Sequence, residues 1–179
     1  KSKGNIENLI FAYEISKKLK INEKIIIRAL NNFKGLAHRQ EVVLSNKKFL
    51  CINDSKATSF DASLQSLSNY NNIYWIVGGL PKYKDYFDLS KVKKKIVKAY
   101  IIGKSILFFK NKIKKHIPYV ISKNIQNALN NIYKDSKFKK NSKKTILLSP
   151  AAASFDQFKN FEDRGVCFKN LIIKQFKRG

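Results

Sequence analysis

The sequence has 179 residues, of which 44% are hydrophobic and 12% aromatic, and its formal net charge is +25 at pH 7. A chain of this length and composition can bury one complete core, which excludes a largely disordered protein. No apolar run approaches the roughly 20 residues that cross a bilayer, and no signal peptide follows the first lysines, so we expect a cytoplasmic protein without a membrane partner.

Methionine is missing from the sequence, and cysteine occurs only as Cys51 and Cys167. Because residue 1 is not methionine, we expect the chain to be a fragment of a longer protein. The two cysteines are far apart and lie beside apolar residues, which is typical of reduced packing residues.

The positive charge raises the question of nucleic-acid binding, since lysine and arginine neutralise phosphates. Arginine, which makes the bidentate contacts to base edges, occurs only four times. The lysines are spread over nearly every segment, which favours a solvated surface, and we expect no nucleic-acid partner. Residues 91–95 and 112–116 remain candidate basic patches, although neither contains an aromatic residue for stacking.

The first 36 residues are predicted to form two helices. Apolar residues recur at helical spacing in 6–15 and again in 23–33. Gly35 then marks a break. We therefore predict a short helical segment over residues 1–36, ahead of a separate domain over 37–179.

Strands and helices alternate in the rest of the chain. Short apolar runs predict a hairpin and four further strands, at 41–44, 49–52, 73–77, 99–102, 119–121 and 145–148. Helical patterns lie at 61–70, 106–112, 125–133 and 160–176. This order predicts an α/β fold, with a mostly parallel sheet covered by helices.

Three strand ends carry residues that suit an anionic ligand, in the loops 54–59, 78–82 and 149–155. Ligands of such sheets bind at the carboxyl ends of the strands, so we expect these loops to meet at one edge. The two glycines of the second loop would admit a ligand to the backbone. Lys56 and Lys82 would lie among hydroxyl groups, which suits carboxylate or phosphate groups.

Each loop also has a plain structural explanation. Thr58 or Ser59 could cap the helix that follows, the glycine pair could form a turn, and Ser154 could cap the last helix. The residues alone therefore indicate an anionic ligand without identifying it.

Four motifs fall on the predicted loops and their flanks: GLAHRQEVV at 35–43, NDSKAT at 53–58, GGLPK at 78–82 and LSPAAASFDQFKNFEDRG at 148–165. They resemble the Mur ligases, and most closely the D-glutamate-adding branch of that family. The resemblance implies that 1–36 ends a central ATP-binding domain and that 37–179 is the C-terminal domain, with a Rossmann-like sheet. It also implies a ligase that uses ATP to join D-glutamate to UDP-N-acetylmuramoyl-L-alanine, a peptidoglycan precursor, through an acyl phosphate.

The same resemblance assigns roles to individual residues. It implies that Lys56 is catalytic and that D-glutamate is bound by Thr58, Lys82, Ser154, Phe155 and Phe161. It implies ATP contacts at Asn5, Asn8, His38, Arg39, Asp54 and Lys56. The family's phosphate-binding loop and Mg²⁺ ligands would lie upstream of residue 1, so we expect no metal ligand in this chain, no activity of the chain alone, and a monomer.

One departure from the family concerns the predicted adenine contacts, because Gly4 stands where the family has a histidine before Asn5 and Asn8. Two alternatives from other classes stay open at this point. One is a related ATP-dependent amide ligase, such as a folylpolyglutamate synthase. The other is a basic α/β module that binds nucleic acid.

Overall fold

A computed structural model describes residues 3–33, 35–137 and 142–176, without the side chains of 3–5. The chain divides into two compact units, Lys1–Leu36 and Ala37–Gly179, and each is described by itself. No helix among the described residues is long and apolar enough to cross a membrane.

The first unit consists of the two predicted helices, α1 (Lys3–Lys18) and α2 (Glu23–Asn32). Asn22 caps α2, because its side-chain oxygen accepts a hydrogen bond from the Lys24 N–H (3.0 Å). The helices are joined by the Tyr13 hydroxyl, which donates to Glu23 Oε1 (2.7 Å). Ile26 of α2 is buried.

The second unit contains one sheet of six strands: β1 (Glu41–Ser45), β2 (Phe49–Asn53), β3 (Ile73–Gly78), β4 (Ile96–Ile102), β5 (Tyr119–Lys123) and β6 (Lys144–Leu148). Their order across the sheet is β1-β2-β6-β3-β4-β5. The hairpin pair β1–β2 is antiparallel and all other pairs are parallel. The predicted α/β fold with a mostly parallel sheet is therefore confirmed.

Four helices cover this sheet: α3 (Phe60–Asn69), α4 (Ile106–Ile113), α5 (Ile125–Ser136) and α6 (Phe161–Phe176). The apolar faces of α3 and α4 pack on one face of the sheet, and those of α5 and α6 pack on the other. Strand β3 is buried along its whole length, which explains why the strands appear in the sequence as continuous apolar runs and not as alternating ones.

The position of β6 creates a crevice at the carboxyl edge of the sheet. β6 lies between β2 and β3, although it is the last strand in the chain. The helix after β2 covers one face and the helix after β6 covers the other. Neighbouring strands whose helices go to opposite faces leave a crevice between their carboxyl ends, where α/β sheets bind ligands.

Both cysteines are free thiols, as predicted. Cys51 is fully buried in β2, and burial raises its pKa to about 12. A thiol with this pKa is protonated at neutral pH and unreactive, so Cys51 serves as an apolar packing residue.

We expect the backbone amides of α1 and α2 to exchange with solvent at least about a hundredfold faster than those of β3 and β4. Ile26 is the one fully buried side chain among the described residues 6–33, whereas β3 has no exposed position. Hydrogen exchange followed by mass spectrometry measures both regions in one sample. Equal protection of the two regions would contradict this expectation.

Candidate functional site

The loops that follow β2, β3 and β6 meet at the carboxyl edge of the sheet, which confirms their predicted convergence. The Asp54 N–H donates to the Leu148 carbonyl oxygen (2.8 Å), which joins the first loop to the end of β6. Leu80 and Ala153 exchange two backbone hydrogen bonds (both 2.9 Å) and form an isolated antiparallel bridge. Backbone contacts therefore hold the three loops together.

The glycine pair after β3 makes this close contact possible. Gly79 has a φ of +136°, and a Cβ atom at this position would collide with the Ala153 carbonyl oxygen. The Gly78 N–H donates to the Pro150 carbonyl oxygen (2.9 Å). The space that a side chain on Gly79 would occupy is thus filled by the loop that follows β6, whereas we expected a ligand there from the sequence.

Asp54 lies in the crevice between β2 and β6, with 6% of its surface exposed. Its Oδ2 accepts hydrogen bonds from the hydroxyls of Ser66 and Ser149, and its Oδ1 accepts one from the Gln40 N–H (3.2 Å). Burial raises the pKa of Asp54 to about 6, while these hydrogen bonds and the charge of Arg39 act in the opposite direction. The carboxylate points into the protein, and its predicted nucleotide contact stays a prediction.

Lys56 and Phe161 lie against each other at this crevice. The Lys56 Nζ atom is 3.9 Å from the centroid of the Phe161 ring, which is a cation–π contact. Phe161 is the first residue of α6. Its carbonyl oxygen accepts a hydrogen bond from the Ser55 hydroxyl (2.8 Å). The structure therefore brings together two residues that were predicted separately, one for catalysis and one for D-glutamate.

The hydroxyls of the first loop have different functions. Ser59 is the N-cap of α3, since its Oγ accepts a hydrogen bond from the Ala62 N–H (3.4 Å). Asp85 adds a second acceptor at this helix end through the Phe60 N–H (2.9 Å). Thr58 is half-buried and its hydroxyl has no hydrogen-bond partner within the described part of the chain. Ser59 therefore caps the helix and leaves Thr58 available to a ligand.

Ser154 and Phe155 occupy the loop that follows β6. Asn160 caps α6, because its Oδ1 accepts a hydrogen bond from the Asp163 N–H (2.7 Å), so Ser154 is not the cap of this helix. The Ser154 side chain is buried and makes no hydrogen bond with other described residues. Phe155 is 69% exposed, next to this buried hydroxyl.

Arg39 and Lys82 are exposed cations at the same edge. Lys82 lies on the loop that Leu80 fixes to Ala153, and its side chain has no salt bridge or hydrogen bond to the residues that the structure describes. The charge of Arg39 acts on the carboxylate of Asp54. Together with Lys56, these cations can bind carboxylate or phosphate groups of a ligand.

His38 holds the backbone of the loop after β2 in place. It is buried and has a φ of +61°, and its Nδ1 lies 2.9 Å from the Asn53 side-chain nitrogen. This amide donates, which places the ring proton of neutral His38 on Nε2. A Cβ atom on Gly165 would collide with the imidazole ring. The His38 carbonyl oxygen accepts the Lys56 N–H (3.0 Å), so His38 positions the backbone of Lys56.

Arg164 connects two of the loops to α6, and the sequence did not single it out. Its Nε donates to the Ser55 hydroxyl (2.9 Å), and its Nη2 donates to the carbonyl oxygens of Ser55 (2.8 Å) and Ala152 (3.0 Å). The side chain is 1% exposed, and burial lowers its pKa to about 10, so it is charged at neutral pH. The available signal was that Arg164 is one of only four arginines and lies in the motif at 148–165.

The remaining predicted residues, Asn5 and Asn8, lie in α1. Asn8 is exposed, and the side chain of Asn5 lies outside the described residues. Their adenine contacts stay predictions. In the described part of the chain, no group of three or more His, Cys, Asp and Glu side chains is arranged to hold a metal ion.

The chain is similar to known proteins over nearly its whole length. The chain is 38% identical, over 97% of its length, to the UDP-N-acetylmuramoylalanine–D-glutamate ligase of Rickettsia prowazekii (strain Madrid E). It is 39% identical, over 96% of its length, to the ligase of the same name from Wolbachia sp. subsp. Brugia malayi (strain TRS). The chain spans 38% and 34% of these two relatives. No family model matches it.

A solved structure supports the fold. The chain superposes on UDP-N-acetylmuramate-alanine ligase MurC from Thermotoga maritima with a TM-score of 0.63, covering 99% of this chain and 39% of that one. The two sequences are 12% identical in this alignment. At this identity the similarity concerns the fold alone.

We expect Asp54→Asn to gain stability relative to the unmodified chain as the pH rises from about 4 to about 7. Burial raises the pKa of folded Asp54 from 3.8 to about 6, so the unfolded chain loses its proton first. The contribution of protonated Asp54 is therefore complete below pH 3.8 and lost as the pH rises through about 6.

Urea unfolding of both chains at several pH values measures this effect. The difference between their free energies of unfolding should change by about 2 kcal/mol in favour of Asp54→Asn, which is somewhat less than two pKa units would give. A difference that stays constant with pH would show that Asp54 titrates normally.

We expect Arg164→Met to lower the free energy of unfolding by about 3 kcal/mol, because buried acceptors on Ser55 and Ala152 lose their donors. Exchange of the amides in 54–57 and 151–154 should rise more than exchange in β4. Lys174→Met is the matched control, since Lys174 is an exposed residue of the same helix. Equal effects of the two substitutions would contradict the proposed connection.

Proposed function

The chain is homologous to Mur ligases over nearly its whole length, and we propose that it is the C-terminal part of an ATP-dependent ligase that adds D-glutamate to UDP-N-acetylmuramoyl-L-alanine. The observation that carries this proposal is the 38% identity over 97% of the chain to an enzyme with that name. The convergence of the three loops supports it, because all the motifs that suit an anionic amino acid lie at one edge. The proposed product is a peptidoglycan precursor, made by a monomeric enzyme in the cytoplasm.

D-Glutamate would bind between the loops that follow β2, β3 and β6. Lys82, whose ammonium group has no partner among the described residues, would pair with a carboxylate. The hydroxyls of Thr58 and Ser154 make no hydrogen bond to other described residues and would donate to the same amino acid. The Phe155 backbone and the Phe161 ring would complete the contact surface.

ATP would supply the phosphoryl group that activates the substrate carboxyl group, with formation of ADP. Two cations fit its phosphates, since Arg39 is exposed and the ammonium group of Lys56 contacts only the Phe161 ring among the described residues. Asp54 and His38 would act near the ribose and phosphates, and Asn5 and Asn8 near the adenine. Ligands for Mg²⁺ would come from the rest of the longer protein.

The proposed role of Lys56 follows from its surroundings. The Phe161 ring holds the Nζ atom at 3.9 Å without neutralising its charge. A charge held in this way, in a half-buried crevice, can stabilise the negative charge that develops as the acyl group is transferred. The chain would therefore contribute positioning and electrostatic stabilisation to the reaction, with no nucleophile of its own.

Lys82→Ala in the full-length protein should raise the KM for D-glutamate about tenfold to a hundredfold, because a hydrogen bond to a charged group is lost. The KM for ATP should hardly change. Steady-state kinetics with each substrate varied in turn measure both constants. Lys84→Ala is the matched control, because Lys84 is exposed on the same loop and lies outside the proposed site.

Two results would contradict this assignment. An increase in the KM for ATP with an unchanged KM for D-glutamate would place Lys82 at the nucleotide. Absence of ADP formation that depends on D-glutamate, in the unmodified full-length protein, would contradict the proposed reaction itself.

A further inference from the structure

Positive charge is concentrated at the amino edge of the sheet, opposite the candidate site. Exposed lysines lie shortly before the first residues of β2, β4, β5 and β6: Lys48, Lys93, Lys94, Lys114, Lys115 and Lys143. We call these six residues the amino-edge row. The two basic patches of the sequence, 91–95 and 112–116, contribute four of them, because they precede the neighbouring strands β4 and β5.

The row spans the sheet from β2 to β5 with one gap, because Asn71 and Asn72 stand before β3 instead of lysines. The Lys144 N–H donates to the Lys48 carbonyl oxygen (2.9 Å), which places the lysines before β2 and β6 side by side. The starts of β2, β6, β3 and β4 lie within one residue of each other in the register of the sheet. Strands are about 4.8 Å apart, so from β2 to β5 the row extends over about 19 Å.

Acidic residues neutralise this row only in part: hydrogen bonds from Ser90 and the charge of neighbouring Lys91 lower the pKa of Asp88. Within 37–137 and 142–176, the acidic residues other than Asp88 and Asp135 lie in β1, in the loops of the carboxyl edge or in the first turns of α3 and α6. Asp135 forms a salt bridge with Lys98 (2.9 Å), and Asp88 accepts a hydrogen bond from the Ser90 N–H (2.9 Å). A lysine-rich composition alone would make both edges equally positive, so the separation belongs to the folded structure.

Helix dipoles explain part of this separation but not the row itself. Lys112, Lys134 and Lys174 lie in the last turns of α4, α5 and α6, where cations are favourable. Lys48 and Lys143 flank strands instead. These lysines increase charge repulsion within the protein, which a partner of opposite charge would relieve.

We propose that the amino-edge row binds the surface of an anionic lipid bilayer, independently of the ligase function and against the expectation of no membrane partner, which considered only segments that cross a bilayer. Lysine is a compact point charge, and the row contains no arginine for bidentate contacts to base edges or phosphates. The lysine runs contain no aromatic residue on which bases could stack. The helices α3 to α6 end at this edge. Among the described residues, none of these helices is therefore placed to enter a groove of nucleic acid.

Binding to a planar anionic surface requires neither arginine nor aromatic residues for stacking. Each lysine near such a surface strengthens binding about fivefold, and the attraction is screened by salt. Binding through the amino edge would leave the loops after β2, β3 and β6 facing the solution. The interaction would be reversible, because it involves charge without an inserted apolar segment.

The test uses the 179-residue chain and sedimentation with vesicles of phosphatidylcholine, with or without one third phosphatidylglycerol. The amino-edge variant is Lys93→Glu, Lys94→Glu, Lys114→Glu and Lys115→Glu. The control is Lys84→Glu, Lys104→Glu, Lys123→Glu and Lys159→Glu, which makes the same change in net charge with exposed lysines of the carboxyl edge. Thermal unfolding checks that both variants are folded, and Lys114→Glu with Lys115→Glu serves as a milder variant.

We expect the chain to bind vesicles that contain phosphatidylglycerol at about 0.1 M salt and to be released at about 0.5 M. The amino-edge variant should bind at least about a hundredfold more weakly, and the control less than about fivefold. Equal losses in the two variants would show that net charge alone is responsible. Failure to bind, or preferential binding to duplex nucleic acid at the same phosphate concentration, would overturn the proposal.

Discussion

The buried guanidinium group of Arg164 is the contact on which the arrangement of the loops depends. A buried charge is costly unless hydrogen bonds replace the lost water, and here the acceptors are on Ser55 and Ala152. These residues lie on different loops, so the hydrogen bonds of Nε and Nη2 form only when both loops have reached their places, while the buried Nη1 has no partner among the described residues. We infer that the two loops and α6 become ordered together, because α6 supplies the hydrogen-bond donors and the two loops supply the acceptors.

The loop after β2 shows how one short segment can support several partners at once. Asn53 contacts His38 and the Gly165 carbonyl oxygen, Asp54 accepts hydrogen bonds from the hydroxyls of Ser66 in α3 and Ser149 after β6, and Ser55 contacts Arg164. The three successive side chains therefore fix this segment to α3, to the loop after β6 and to α6. Lys56 follows directly, and its backbone N–H is fixed as well. A rigid backbone under a half-buried lysine is what charge stabilisation at a defined position requires.

The sequence predicted the strands, the helices and the edge that carries the site, because these depend on local periodicity and on a general rule of parallel sheets. It did not predict that β4 begins at Ile96, since Lys98 interrupts the apolar run; the Lys98–Asp135 salt bridge makes that position acceptable. It could not choose between Thr58 and Ser59 as the helix cap, because both residue types cap helices. Arg164 was missed because arginine is usually exposed, and its burial depends on distant loops.

The direction of the helices affects how charge is distributed over a chain with a net charge of +25. The helices α3 to α6 begin at the carboxyl edge, so their dipoles favour acidic residues there, such as Asp61, Glu162 and Asp163. These acids balance cations near the site, whereas few acids lie at the opposite edge. The cations that we propose for ligand binding at this edge, Arg39, Lys56 and Lys82, therefore lie among acidic residues. Recognition of an anionic ligand then depends on the geometry of these groups, since a uniform positive field would attract every anion alike.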